Sequence, residues 1–176
     1  MAESHTQLRP TKHGKPWKLI VNIMIEVLVK KNFDNVNLSQ ADIENLVKAI
    51  CLRFDISDVT VSIAIVDNDE MKALNKKFLN RTANTDCLSF ELSDTKSDPQ
   101  RLFEIIVNGE LALSQADSRQ IQPKAELALY ITHGMLHNLG FDDASDHDAK
   151  KMHDTEDEIL QQLGFGLVYN KNKTDD

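Results

Sequence analysis

The stretch from Pro123 to Leu139 constrains the fold of this chain more than any other part of the sequence. It contains no helix-breaking residue except Gly134, and Pro123 is suited to the first turn of a helix. The stretch is apolar almost all round, which predicts a helix buried inside the protein rather than one lying on its surface. Gly140 then predicts a left-handed cap that ends the helix. Other elements must therefore surround this helix.

Local patterns predict those other elements. Apolar residues alternate in the predicted strands, and capping side chains precede the predicted helices. Since strands and helices do not alternate strictly, the fold class is α+β, with helices packed on a small sheet. In chain order, we predict a strand over Leu19–Val29, a helix over residues 40–54, a strand over Val59–Ile65, a helix that begins near Asp67, strands over Cys87–Leu92 and Leu102–Val107, the buried helix, and a last helix from Ser145.

Asn108-Gly109 separates two apolar runs, Phe103–Val107 and Glu110–Leu113. Taken locally, Asn-Gly between such runs indicates a two-residue hairpin turn.

Length and composition indicate one domain. A chain of 176 residues with 41% hydrophobic content can bury one substantial core. We expect residues 19–168 to form this domain, with disordered tails at residues 1–18 and 169–176. The polar first segment lacks the apolar stretch of a secretory signal, and Leu19–Val29 is too short to cross a bilayer. These features predict a soluble, cytoplasmic protein with no membrane contact, and we expect Cys51 and Cys87 to be reduced core residues.

The formal net charge of -8 argues against a chain that wraps nucleic acid by bulk electrostatics. It leaves room for a local basic groove. Lys72, Lys76, Lys77 and Arg81 form a basic cluster, which either is a solvated helix face or contacts phosphates.

His133 and His137 are one helical turn apart, so both imidazoles can reach a single metal ion. The turn at Gly140 can bring the following loop back toward them, where Asp143 would be a third ligand. The pattern H-x-x-x-H-x-x-G-x-x-D has the spacing of the metzincin zinc motif with aspartate in the last position. Three ligands leave a fourth position for water, as in a catalytic zinc site. The alternative is a pair of core histidines without a metal.

The residue after the first histidine is Gly134, where zinc proteases have a glutamate as general base. Peptide hydrolysis is therefore disfavoured. Asp142 is adjacent to Asp143 within the motif, but the general base stays unassigned. We expect His147 and His153 at the surface, with His147 as a backup metal ligand.

The motif H-G-M-L-H-N-L-G-F-D-D at His133–Asp143 resembles that of the YbeY family, bacterial endoribonucleases that mature ribosomal RNA. Leu74-Asn75, T-D-C-L-S-F at Thr85–Phe90 and G-E-L-A-L-S at Gly109–Ser114 resemble further motifs of that family, in the family's order. The likeness extends over residues 19–163.

This resemblance implies an α+β domain with a small mixed sheet, one zinc ion held by the three motif ligands, and hydrolysis of single-stranded RNA during ribosomal RNA maturation. Ribosomal RNA and ribosomal proteins would be the partners. The family's G-D-I-V-I-S stretch is one strand, which suggests that Gly109 begins a strand instead of closing a turn.

Two departures from the family concern function. The family's third histidine falls on Asp143, and an arginine of its L-N-x-x-Y-R segment falls on Leu79. Arg81, two positions later, is the candidate phosphate contact in its place.

The leading hypothesis is a zinc-dependent endoribonuclease with His133, His137 and Asp143 as ligands. The second keeps the metal but changes the substrate to an amide, an ester or a small phosphoester. The third is a non-catalytic, ribosome-associated RNA-binding module whose metal is structural.

Overall fold

A computed structural model describes residues 23–94 and 100–169 of the chain. It contains strands and helices in mixed order, as the sequence predicts for an α+β protein. The elements are β1 (Met24–Lys31), α1 (Gln40–Arg53), β2 (Asp58–Val66), α2 (Asn68–Leu79), β3 (Cys87–Glu91), β4 (Arg101–Asn108), α3 (Gly109–Arg119), α4 (Pro123–Asn138) and α5 (Asp146–Gln162).

The four strands form one mixed sheet in the order β1-β2-β4-β3. β1, β2 and β4 are parallel, and β3 pairs antiparallel with β4 at the edge. The registers align the alternating apolar residues: Val27 pairs with Val61, and Val61 pairs with Phe103. Because side chains on a strand alternate between faces, this alignment gives the sheet one continuous apolar face.

That apolar face is covered by helices, and α4 lies at their centre. α4 packs against β3 and β4 and also contacts α1, α3 and α5. Its residues Ala125–Thr132 are all buried. The prediction of a helix enclosed by the rest of the domain is therefore confirmed.

α2 covers part of the opposite face of the sheet. Val66, Met71, Leu88 and Ile106 form a second, smaller buried cluster there. Met71 lies on α2 and Leu88 lies on β3, so this packing holds α2 beside β3.

Helix ends follow the predicted capping signals. Ser39 and Asp42 form a capping box at the start of α1, and Asp67 and Ser145 accept hydrogen bonds from backbone amides at the starts of α2 and α5. Gly140 has φ of 91°, the left-handed conformation expected after α4.

Both interpretations of Asn108-Gly109 were wrong, because Gly109 begins helix α3. Asn108 is its N-cap, and the Asn108 side chain accepts a hydrogen bond from the amide of Leu111 at 2.9 Å. A Cβ on Gly109 would stand 2.6 Å from Cδ1 of Phe33 and 2.9 Å from Cγ2 of Ile65. Close packing therefore explains the glycine, and no turn is required.

Several predictions fall partly outside the described residues. Residues 19–22 of the predicted strand Leu19–Val29 lie there, and so do residues 1–18 and 170–176 of the predicted tails. Tyr169 is described, and its ring stacks on that of His153 with centroids 3.4 Å apart. The domain and tail boundaries stay predictions.

Among the described residues, no helix combines the length and the apolar character needed to cross a membrane.

Candidate metal centre

His133 and His137 lie next to each other on the exposed side of the C-terminal half of α4. Their Nε2 atoms are 3.0 Å apart, and the two rings are nearly perpendicular, with 85° between their planes. The His133 side chain is only 15% exposed. The spacing of four residues thus brings both imidazoles to one point, as the sequence predicts.

The loop after α4 returns a carboxylate to the two histidines. Oδ2 of Asp143 lies 3.8 Å from Nε2 of His133. The loop is shaped by Asp142, whose Oδ1 accepts hydrogen bonds from the amides of Asp143 and Ala144 at 2.8 and 3.2 Å. Donor atoms of His133, His137 and Asp143 lie within 4.8 Å of one another.

Each histidine is oriented by a hydrogen bond at its other ring nitrogen. Nδ1 of His133 lies 2.7 Å from Oε1 of Glu156, and Nδ1 of His137 lies 3.2 Å from the carbonyl oxygen of Phe141. Carboxylate and carbonyl oxygens only accept, so each Nδ1 carries the hydrogen. The Nε2 atom of each ring then offers a lone pair, as metal-binding histidines do.

This arrangement fits a metal ion. At 3.0 Å the two Nε2 atoms either share one proton in a hydrogen bond or, as two facing lone pairs, repel unless a metal cation lies near both. Zn–N bonds of about 2.0–2.1 Å in a tetrahedron separate two nitrogen ligands by about 3.3 Å. Asp143 is 43% exposed, so a fourth direction is open to solvent.

The surroundings of His133 are strongly negative. Burial lowers the pKa of its imidazole, but the hydrogen bond and charge of Glu156, with the charges of Asp86 and Asp143, outweigh burial and raise the pKa. The Glu156 side chain is only 1% exposed. Such a field attracts a proton to His133, and it attracts a divalent cation for the same reason.

A cavity of about 410 Å³ opens over the three candidate ligands. Arg81 and Leu79 form one wall and the start of β3 forms another. The structure thus brings Arg81 into the same cavity as His133, His137 and Asp143; its role as a phosphate contact stays a prediction.

Gly134 allows the sheet to approach α4 closely. A Cβ at this position would stand 2.8 Å from Cγ2 of Ile105 and 3.7 Å from Sγ of Cys87. The residue is buried against the strands, so a glutamate in its place would not reach the cavity without moving them. The site therefore lacks the general base of zinc proteases for a physical reason.

Other predicted residues lie away from this cluster. His147 is 89% exposed, with Nδ1 3.5 Å from Oδ1 of Asp148. Asp142 uses its carboxylate on the loop backbone and faces a different depression, lined also by Lys151. Lys72, Lys76 and Lys77 are exposed on α2.

His153 and Cys87 correct two predictions. His153 was expected at the surface, but its side chain is only 16% exposed and its Nδ1 lies 2.8 Å from Oε2 of Glu156. Cys87 was expected in the core, but it is half-buried and lines the cavity. Cys51 is buried as predicted, and burial raises the pKa of its thiol to about 11.

Sequence reasoning did not assign Glu156 or Asp86 to the site. Glu156 follows Met152 by four residues, so helical periodicity could have placed it on the buried face of α5. A buried carboxylate needs a hydrogen-bonding or charged partner, so a glutamate on the buried face of α5 would have predicted a polar neighbour there. Asp86 gave no separate signal, because only the pairing of β3 with β4 brings it near His133.

Two helix-borne histidines and a loop carboxylate that converge at a solvent-accessible point are the donor set that metal-dependent hydrolases use. A model of the family described as Endoribonuclease YbeY matches residues 27–164. The chain therefore belongs to the YbeY family, and the predictions of this family and of an enzyme are confirmed.

Curated relatives agree over most of their lengths. The chain is 29% identical over 160 residues to an endoribonuclease YbeY from Thermoanaerobacter sp., covering 83% of this chain and 99% of the relative. It is 27% identical over 139 residues to that of Sulfurihydrogenibium sp., covering 78% and 91%. It is 36% identical over 105 residues to that of Carboxydothermus hydrogenoformans, covering 60% and 73%.

A solution structure of a Thermotoga maritima protein has a similar fold. The TM-score is 0.51 at 24% sequence identity, over 87% of this chain and 97% of the other. This likeness concerns the fold alone.

Proposed function

We propose that this chain is a zinc-dependent endoribonuclease that hydrolyses single-stranded RNA, with one zinc ion held by His133, His137 and Asp143. The observation that carries the proposal is the pair of Nε2 atoms 3.0 Å apart, each in a ring whose Nδ1 is occupied by an acceptor. The relatives' printed name, endoribonuclease, supports RNA as the substrate.

Zinc, when bound, would polarise a phosphodiester oxygen and lower the pKa of a water molecule. The chain's own residues would prepare the site for this chemistry. Glu156 and the carbonyl of Phe141 hold the two rings in position. Arg81, which lines the cavity, would pair with a phosphate oxygen of the RNA.

Two features of the chain favour RNA over a peptide substrate. Gly134 leaves no general base beside the first histidine, since its position is packed against Ile105. Arg81 brings a positive charge into a cavity whose other charged groups include Asp86 and Asp143. A phosphodiester needs such a cation, whereas a neutral amide does not.

The exposure of Asp143 favours a catalytic metal over a structural one. Structural zinc sites are closed by four protein ligands, but catalytic sites keep one position for solvent. Here three donors converge at the wall of an open cavity, and one of them is 43% exposed.

We further propose that the substrate is ribosomal RNA during its maturation, that ribosomal proteins are partners, and that the protein acts in the cytoplasm. Support for these points is the family membership alone. Residues 19–168 are proposed as the functional unit.

The experiment is cleavage of a labelled single-stranded RNA by the full-length protein. We expect cleavage with zinc, none after chelation, and recovery when zinc is restored. Duplex RNA and an unstructured peptide should stay intact. His137→Ala should abolish cleavage, whereas His147→Ala, whose side chain is 89% exposed, should retain it. Cleavage that survives complete removal of metal would refute the proposal.

Arg81→Ala provides a second arm of the same assay. Since charged hydrogen bonds contribute about 1.5–3 kcal/mol, we expect KM for RNA to rise by roughly tenfold to a hundredfold. Zinc content should stay unchanged. The control is Lys48→Ala, an exchange on α1 of a lysine that pairs with Glu44.

A further inference from the structure

Cys87, the first residue of β3, presents its thiol to the candidate metal centre. It is a free cysteine, and it lines the same cavity as His137 and Asp143. Its Sγ lies 3.7 Å from the point where a Cβ on Gly134 would stand. The thiol therefore lies over the turn of α4 that carries His133.

Asp86 is fixed beside this thiol. Its Oδ1 accepts hydrogen bonds from the amide of Cys87 at 2.7 Å and from the hydroxyl of Thr85 at 3.0 Å. Neither bond uses the second carboxylate oxygen. Donor atoms of Asp86, Cys87 and His133 lie within 4.8 Å of one another.

We propose that Asp86, Cys87 and His133 form a second metal position, adjacent to the first, which takes a thiophilic divalent cation such as Zn²⁺, Cd²⁺ or Co²⁺. Thiolate, imidazole and carboxylate are all ligands that zinc accepts, and a thiolate selects softer cations over Mg²⁺ or Ca²⁺.

The two metal positions compete for His133. Its Nδ1 donates to Glu156, so only Nε2 has a lone pair to offer, and one lone pair binds one ion. Cys87 lines the cavity that also contains His137 and Asp143, and its Sγ lies within 4.8 Å of a ring nitrogen of His133. An ion that loses Asp143 can therefore pass to Cys87 and Asp86 without leaving His133.

The charges around Cys87 favour a cation bound to its thiolate. The carboxylates of Asp86, Glu156 and Asp143 act on the thiol electrostatically, so a bare thiolate would add a fourth negative charge to the site. A divalent cation reverses the local balance, because it neutralises the carboxylates and the thiolate together.

The test uses Co²⁺, whose bond to a thiolate gives a near-ultraviolet charge-transfer band. The full-length Asp143→Ala variant, reduced and freed of metal, is titrated with Co²⁺. Asp143 is in an exposed loop, so its removal weakens the first position and leaves the second intact. We expect the charge-transfer band in this variant. A second exchange, Cys87→Ser, should abolish the band.

Cys51→Ala in the Asp143→Ala background is the matched control. The chain has two cysteines, so retention of the band in this control assigns the thiolate to Cys87. Circular dichroism checks that each variant is folded, and Cys87→Ala serves in place of Cys87→Ser if the serine variant is not. Absence of Co²⁺ binding, binding without the band, or a band that survives loss of Cys87 overturns the proposal.

This inference rests on the proposed function only through the shared ligand His133. Its readout is a cobalt spectrum, whereas the proposed function is read by RNA cleavage. A wild-type protein that fails to cleave RNA leaves the spectrum of the Asp143→Ala variant unaffected, so the two failures are distinguishable.

Discussion

Glu156 connects two histidines through one buried carboxylate. Its Oε1 accepts from His133 and its Oε2 lies 2.8 Å from Nδ1 of His153, while the side chain is 1% exposed. Carboxylates of this kind fix the orientation of a ligating imidazole and raise its basicity. Glu156 is therefore a positioning residue for His133.

Glu156→Gln tests that role. Glutamine keeps the shape of the side chain but removes its charge, so zinc affinity should fall about tenfold to a hundredfold. Competition with a chromogenic chelator measures the change. Glu158→Gln, two residues further on the same helix and 60% exposed, is the control and should retain affinity. Equal affinity in both variants would show that Glu156 does not support the metal.

Gly134 determines how closely the sheet lies against α4. In Gly134→Ala the new methyl group would stand 2.8 Å from Cγ2 of Ile105, which is buried and cannot move freely. Overpacking of a core costs about 1–3 kcal/mol. We expect the free energy of unfolding to fall by that amount, which lowers the midpoint of urea unfolding. An unchanged midpoint would mean that β4 can shift away from α4 without loss of stability. The close approach of β4 to Gly134 would then not be essential.

At the level of elements, Asn108 joins three parts of the chain. Its Oδ1 caps α3, and its Nδ2 donates to the side chains of Asn68 and Asn84 at 3.0 and 2.9 Å. The residue is fully buried at the end of β4. It therefore couples α2 and the segment before β3 to the start of α3.

Asn108→Ala should destabilise the protein more than loss of an exposed cap. A helix cap alone contributes about 0.5–2 kcal/mol, and unpaired buried polar groups add about 1–3 kcal/mol. Ser39→Ala, which removes the exposed cap of α1, is the comparison. Chemical denaturation of both variants measures the difference. Equal losses would show that the buried hydrogen bonds of Asn108 contribute nothing beyond the cap.

Local patterns predicted the elements well, because strand alternation and capping side chains act within a few residues. The hairpin prediction at Asn108-Gly109 was wrong. An Asn before a Gly is typical of a hairpin turn, but it is equally compatible with a helix N-cap followed by a closely packed glycine. Only the approach of Phe33 and Ile65 to Gly109 distinguishes the two.

Within the candidate site, the residues on one helix and its following loop could be predicted. His133, His137 and Asp143 are near in sequence, so helix geometry and one glycine turn bring them together. Cys87 and Glu156 reach His133 from β3 and α5, and their approach depends on tertiary packing that no local pattern encodes. The sheet order likewise depends on which apolar faces meet.

At the scale of the whole molecule, the core does not depend on the metal. The main buried cluster extends from Val36 to Val168 and includes α4 throughout, whereas the candidate ligands lie at the edge of a cavity. The metal-free protein should therefore stay folded, which separates a catalytic zinc from the structural zinc of the third hypothesis.

Thermal unfolding measures this difference. We expect a cooperative transition without metal and a rise in Tm with zinc, because a ligand at a hundred times its Kd stabilises the folded state by about 2.7 kcal/mol. His137→Ala combined with Cys87→Ser should lose most of the rise. A metal-free protein without cooperative unfolding would instead support a structural metal.

The most direct measurement is anomalous diffraction at the zinc edge from crystals of the zinc-loaded protein. The account predicts one strong peak at about 2.0–2.1 Å from Nε2 of both His133 and His137, and at a similar distance from a carboxylate oxygen of Asp143. A peak that contacts neither His137 nor Asp143, or three side chains that point away from one another in the zinc-loaded crystal, would contradict it.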